Sequence, residues 1–199
     1  MVAQNDLKGA KKVLDSAKHL KCALWDFERN YTWLLDYIEH HQRYPAPPPV
    51  NEKISCFQDI WPFVNSIFKH LKKEEAEVLF NFACNGSGKS KIVEIGSECG
   101  RSTVVLGWGS KMRKREKVCS IDSHILYPFY RQYLNNIHLA GLDDYVISHI
   151  GYSNQIAKTW PGEDIRLLFI DGDHRVSLST GGFRNVVPFS LPWRNNYFP

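Results

Sequence analysis

No pairing pattern runs through the cysteines of this chain. The five of them, Cys22, Cys56, Cys84, Cys99 and Cys119, are odd in number and show neither C-x-x-C nor a Cys/His ligand spacing. That argues against a disulfide framework and a zinc site and fits a reduced, cytoplasmic setting. No apolar run approaches the length of a membrane span, so no membrane partner is expected. The polar start MVAQNDLKGAKK lacks the apolar stretch of a secretory signal, and the sequons at Asn30 and Asn85 carry little meaning without one. A large excess of charge of either sign is absent as well, with 25 Lys and Arg against 21 Asp and Glu. The net formal charge is +4 over 199 residues, and the one basic run, KMRKREK at 111–117, holds its own acid and reads as a solvated helix end. No nucleic-acid partner is implied. G-x-G-x-x-G is absent, and residues 177–199 contain no Asp or Glu.

What is present is a globular composition, 43% hydrophobic and 23% charged, long enough for one domain and an appendage. From Lys11 to His41 apolar residues recur at three- and four-residue steps, as in one long amphipathic helix or two shorter ones. Such a stripe suits either a helix covering the core or a lid or dimer-forming helix. YPAPPPV, Tyr44 to Val50, cannot continue a helix and marks a boundary. The predicted organisation is an appendage with its linker at 1–50, connecting helices at 51–90 and a main domain at 91–199. Helical spacing resumes from Gln58 to Phe82, with Pro62 tolerable in a first turn.

The centre of the chain is KIVEIGSECGRSTVVLG, Lys91 to Gly107: a short buried strand, a loop between Gly96 and Gly100, and a helix opened by Arg101. A strand feeding a helix through glycines leaves free backbone N–H groups and the positive end of a helix dipole at the strand's carboxyl end, a cradle for a polar or anionic ligand. Strand and helix signals then alternate. Lys117 to His124 is a strand ending in Asp122; Pro128 to Ala140 is a helix closed by Gly141; Tyr145 to Gly151 is a strand followed by Ser153; Asn154 to Trp160 is a short helix; Ile165 to His174 is a strand ending in acids. Repeated βα units predict an α/β fold with a parallel sheet between helices, whose ligand edge carries Gly96, Asp122, Ser153 and Asp171.

A competing motif lies just upstream. ACNGSGKS, Ala83 to Ser90, fits a relaxed phosphate-loop pattern, and LLFID at 167–171 resembles the magnesium-holding strand of nucleotide hydrolases. A phosphate loop must follow a strand and open a helix, whereas here a helical pattern precedes the glycines and a strand follows them. A P-loop NTPase is therefore the lesser reading.

Asp122 ends the second strand 22 residues after Gly100. A carboxylate there can accept both hydroxyls of a ribose; the bland alternative is an N-cap for the next helix. In order, VEIGSECGRS, SIDSH, GLDDYVISHIGYS and FIDGDH resemble class I S-adenosylmethionine-dependent methyltransferases, in the branch that acts on small-molecule hydroxyls. The resemblance covers about Lys91 to Val176. It implies a Rossmann-like sheet of order 3-2-1-4 and the cofactor S-adenosyl-L-methionine. Glu94, Gly96, Ser97 and Gly100 would hold its methionine portion, Asp122 its ribose, and Ser153 with Asn154 would lie by the adenine. Asp171 matches a magnesium ligand of metal-dependent members, and Asp173 or His174 stands where some relatives keep a general base.

The tail departs from that pattern. In the family a helix, a fifth strand with further metal-binding acids and a closing pair follow, but SLSTGGFRNVVPFSLPWRNNYFP is short, proline-bearing and free of acids. The expectation is a carboxyl-truncated or divergent O-methyltransferase, incomplete after its fourth strand, with its metal site weakened and its catalysis impaired. An open sheet edge or the amino-terminal helices would then serve homo-oligomer formation. A cofactor-binding pseudoenzyme or interaction module is the alternative.

Overall fold

A computed structural model describes residues 12, 35, 38–39, 50, 53–68, 71–85, 88–124, 127–172 and 188–189. The chain divides into two compact units, Met1–Pro47 and Pro48–Pro199. In the first, Lys12, Leu35, Ile38 and Glu39 are helical; the rest of the stripe expected from Lys11 to His41 lies outside the described residues.

The second unit opens with α1 (Phe57–Ser66) and α2 (Lys73–Cys84), where periodicity alone suggested continuous helical spacing. The break has a local cause at each end. Ile67 leaves α1 in an extended conformation, and the Glu75 carboxylate reaches back to the Lys72 N–H at 2.9 Å to start α2. Pro62 lies in the interior of α1 and not in its first turn, which corrects the expectation for it. At the start of α1, Asp59 Oδ2 accepts the Ser55 N–H and hydroxyl at 2.8 Å each and the Cys56 N–H at 3.0 Å. The Ser55 backbone bond, then its hydroxyl, then Cys56 hold the Asp59 carboxyl at about 2, below its ordinary 3.8. A depressed folded-state value means the contribution is fully present above pH 3.8 and is lost as pH falls toward 2. The urea midpoint of the wild type should accordingly fall more steeply between pH 4 and 2 than that of Asp59→Asn, and parallel curves would refute the assignment.

Five parallel strands follow: β1 (Lys91–Ile95), β2 (Val118–Asp122), β3 (Val146–Ile150), β4 (Ile165–Ile170) and β5 (Pro188–Phe189), in the order β3-β2-β1-β4-β5. The expected 3-2-1-4 core is therefore present. The outer side of β4, expected to stand open, carries a further two-residue strand, with Leu168 opposite Pro188 and Phe169 opposite Phe189. The intervening helices are α3 (Arg101–Met112), α4 (Tyr127–Leu139) and α5 (Ser153–Lys158). Gly141, at a φ of +62°, closes α4 as expected.

Alternation along β1 sends its residues to two faces. Val93 and Ile95 join Cys119, Ile121, Leu168 and Ile170 in one apolar layer, against which Ile156 and Trp160 pack. Glu94 turns to the other face, under α3. That helix is buried from Arg101 through Ser110 and lies so close to α2 that a Cβ on Gly109 would meet Ala83 Cβ and the Phe80 carbonyl, each at 2.7 Å. At the amino ends of the strands the β1–β4 register shifts between Lys91 and Ile92, leaving Arg166 as the extra residue. A bulge re-aims a side chain. The Arg166 guanidinium donates to the carbonyls of Phe82 and Ala83 at 2.7 and 2.8 Å, closing the end of α2, and pairs with Glu116. Cys56, Cys84, Cys99 and Cys119 are all free thiols; Cys22 lies outside the described residues. Among the described residues no helix is long and apolar enough to cross a membrane.

Candidate functional site

At the carboxyl end of β1 the chain turns at Gly96, with a φ of +91°. A side chain is impossible there without movement, because a Cβ would stand 2.5 Å from both the Cα and N of Gly172. The loops after β1 and β4 are thus pressed together, joined by the Asp171 N–H donating to the Ile95 carbonyl at 2.8 Å. Ser97 to Gly100 closes on itself through the Gly100 N–H and the Ser97 carbonyl at 2.7 Å, and α3 begins.

Asp122, from the end of β2, holds this loop. Its Oδ2 accepts the N–H groups of Ser97 and Glu98 at 2.9 and 2.8 Å, and its Oδ1 accepts the His124 N–H at 2.8 Å. From the other side Asn136 of α4 donates to the Cys99 carbonyl at 2.8 Å, and the Tyr133 ring lies against Gly100, 3.1 Å from where a Cβ would be. Tyr133 is itself fixed by a 2.8 Å bond between its hydroxyl and Ser148 Oγ on β3. Burial pushes its phenol up to about 12, so it stays neutral.

Glu94 has a different place from the rest. Its side chain is fully buried, and its carboxylate accepts the hydroxyls of Ser102 and Thr103 at 2.5 Å each and of Ser120 at 3.1 Å. It pins the first turn of α3 to β1 and β2. The positive end of the helix dipole favours an anion at that point.

Gly96, Ser97, Gly100, Asp122, Ser153, Asn154 and Asp171 therefore come together on one sheet edge, from the ends of four strands. Three side-chain atoms there are buried and without a hydrogen-bond partner, Ser97 Oγ, His124 Nδ1 and Asn154 Oδ1. Asp173 and His174 lie outside the described residues. Among the described residues no three acids, histidines or cysteines converge as a metal site would require. Sequence reasoning assigned no part to His124, Tyr133 or Asn136. His124 stands in the quoted SIDSH, while Tyr133 reads as an ordinary core position of an amphipathic helix. A cavity of about 310 Å³ on the α5 face, lined by Cys119, Ile147, His149, Ile156 and Trp160 among others, contains none of these strand-end residues.

The phosphate-loop alternative fails on geometry. Ala83 and Cys84 end a helix and Ser90 precedes β1, so the segment leads into a strand and opens no helix. Its Lys89 and Ser90 lie with Lys91, Glu116, Glu163 and Asp164 at the amino ends of the strands, where Lys91 pairs with Glu163 and Arg166 with Glu116. Asp171 lies at the opposite ends, about 15 Å away along a five-residue strand.

A parallel sheet of order 3-2-1-4 with a glycine loop after β1 and an acid after β2 defines the Rossmann-like class of α/β folds. Within it, the profile of a methyltransferase-domain family matches residues 93–192, half of the chain, and the chain belongs to that family. Similar solved structures include the O-methyltransferase TomG from Streptomyces achromogenes in complex with SAM, at 21% identity over 51% of this chain and 45% of that one, with a TM-score of 0.43. The O-methyltransferase from Bacillus cereus in complex with SAH is 20% identical over 71% and 62%, with a TM-score of 0.45. SAH-bound PaMTH1, a methyltransferase from Podospora anserina, is 15% identical over 81% and 70%, with a TM-score of 0.49. The chain spans about half of the first and three-fifths of the second. A comparison with curated proteins found no match.

Proposed function

We propose that the carboxyl edge of the sheet binds S-adenosylmethionine and that the chain serves methyl transfer to a small-molecule hydroxyl. The observation that carries this reading is the Asp122 carboxylate, which ties the glycine loop to β2 yet keeps acceptor capacity on Oδ1. The unpartnered Ser97 Oγ and Asn154 Oδ1 fit a ligand rich in polar groups laid along the edge from β1 to β3. In this assignment Gly96, Ser97 and Gly100 face the methionine portion, Asp122 takes the ribose, and Ser153 and Asn154 meet the adenine. Glu94 acts through α3, setting the loop's height and leaving the contact to its neighbours.

A bound sulfonium cofactor supplies an already activated methyl group, so the protein's work is to position the acceptor and remove its proton. The base role of Asp173 or His174 rests on the sequence resemblance. Among the described residues no three acids, histidines or cysteines converge, and no step is routed through a cation.

Calorimetry with S-adenosylhomocysteine and with ATP–magnesium tests the binding claim. The adenosyl ligand should bind and ATP should not. Asp122→Asn keeps an acceptor for the loop but loses the charge, and should weaken the adenosyl ligand by about 30-fold or more while the protein stays folded. Unchanged affinity in that variant, or preference for ATP, would overturn the assignment.

A further inference from the structure

His124 follows β2 by two residues and holds a φ of +46°, a left-handed conformation that carries some strain in any side-chain-bearing residue. Its ring packs on Tyr130 and Tyr133, with centroids at 4.8 and 5.0 Å, and its side chain is 4% exposed. Within this packing Nδ1 has no hydrogen-bond partner and stands 3.9 Å from Asp122 Oδ1. Burial lowers the His124 pKa below its ordinary 6.5 against the attraction of Asp122, so the ring is neutral at neutral pH and one nitrogen carries the proton.

A separation of 3.9 Å is too long for a direct bond between the two atoms. It is the span that a single hydroxyl oxygen bridges, since an oxygen about 2.7 to 2.8 Å from each atom subtends an angle of about 90°. The carboxylate's other positions are engaged, Oδ2 by two N–H groups and Oδ1 by one, so the remaining acceptor direction belongs to Oδ1, the oxygen that neighbours Nδ1.

We propose that Asp122 Oδ1 and His124 Nδ1 form a paired seat for one ribose hydroxyl of the adenosyl ligand, the hydroxyl donating to the carboxylate and accepting from Nδ1–H. This inference rests on the adenosyl reading above. A carboxylate alone accepts from any donor. An acceptor beside a donor demands a group that is both, and so selects for the hydroxyl over a deoxy sugar.

The test compares S-adenosylhomocysteine with its 2′-deoxy and 3′-deoxy forms by calorimetry, on the wild type and on His124→Phe, which keeps a ring against Tyr130 and Tyr133. Wild type should lose about tenfold when the seated hydroxyl is removed. His124→Phe should lose several-fold for the parent ligand and show a clearly smaller further loss than the wild type for that one deoxy form, since only the bond to Asp122 is left to lose. His124→Asn, which tolerates the backbone conformation and keeps a donor, should recover part of the loss. In wild-type protein labelled on histidine, the His124 Nδ1–H proton resonance should move with the parent ligand and stay put with the deoxy form that lacks the seated hydroxyl; this readout stands even where a variant fails to fold. No binding to wild type sinks the adenosyl reading itself. Equal binding to wild type and His124→Phe, equal weakening for all three ligands, or an unmoved Nδ1–H resonance overturns the seat alone.

Discussion

Gly96→Ala is expected to destabilise the domain by roughly 3 kcal/mol or more and to abolish adenosyl binding. The added Cβ would lie 2.5 Å from the Cα and N of Gly172 and 2.6 Å from the carbonyl carbon of Asp171. All three are backbone atoms, with no flexible side-chain tip to yield, so either the β1 loop or the β4 loop must shift. Neither can do so alone. Gly96 N–H is bonded to Ile121 O at 2.9 Å and Asp171 N–H to Ile95 O at 2.8 Å, which locks both loops to the central strands. Gly162→Ala supplies the control: its φ is +77°, close to that of Gly96, but a Cβ there would meet nothing within 4 Å. It should therefore cost only the conformational strain, about 1 kcal/mol. In a domain of this size, thermal melting should show a drop of about 6–12 °C for Gly96→Ala and a few degrees for Gly162→Ala. Equal drops would mean that crowding against the β4 loop is unimportant.

Glu94→Ala should be comparably severe, at about 3–5 kcal/mol, because it leaves three buried hydroxyls to find other partners and opens a cavity between sheet and helix. Ser102 and Thr103 are the second and third residues of α3, and Ser120 belongs to β2, so one carboxylate joins two strands to the helix that begins at the glycine loop. Glu94→Gln keeps the shape and one acceptor, and hydroxyl rotors can turn to accept from the new amide; about 1–2 kcal/mol is expected. Urea unfolding with an unchanged slope measures both. The same pair of variants separates two roles for Glu94. If it pins α3, Glu94→Gln binds the adenosyl ligand nearly as tightly as the wild type. Complete loss of binding in a folded Glu94→Gln would instead give Glu94 the direct contact implied by the resemblance. A stability loss below about 1 kcal/mol in Glu94→Ala would refute the pinning role.

These variants also mark how far the sequence could be read. KIVEI matches β1 residue for residue, and the strands ending at Asp122 and before Asp171 fall where their β-branched runs do, because a strand buried on both faces leaves a continuous apolar signature. That Gly96, Asp122, Ser153 and Asp171 share one edge was legible too, because in a parallel sheet all carboxyl ends lie on one side. What escaped depends on partners that periodicity does not encode. The break between α1 and α2 is made by the extended backbone at Ile67 and by Glu75 bonding back to Lys72. Pro188–Phe189 is too short a run, among prolines, to read as a strand. The parity that sends Glu94 to the face of Ile92 is visible in the sequence, but the hydroxyls that meet it come from elements 8, 9 and 26 residues away. His124 is marked by a backbone angle that its residue type does not announce.

The support given to the glycine loop by α4 has a bearing on how such a site can change over generations. Asn136 reaches the loop carbonyl from 37 residues downstream, and Tyr133 bears on Gly100 while bonding to β3. Neither is among the residues assigned to the ligand, so a substitution on this helix can raise or lower the loop without altering any group that meets the cofactor. Any adjustment of the loop from this side passes through two fully buried side chains, Tyr133 and Asn136, while the glycines and the strand-end acid stay as they are.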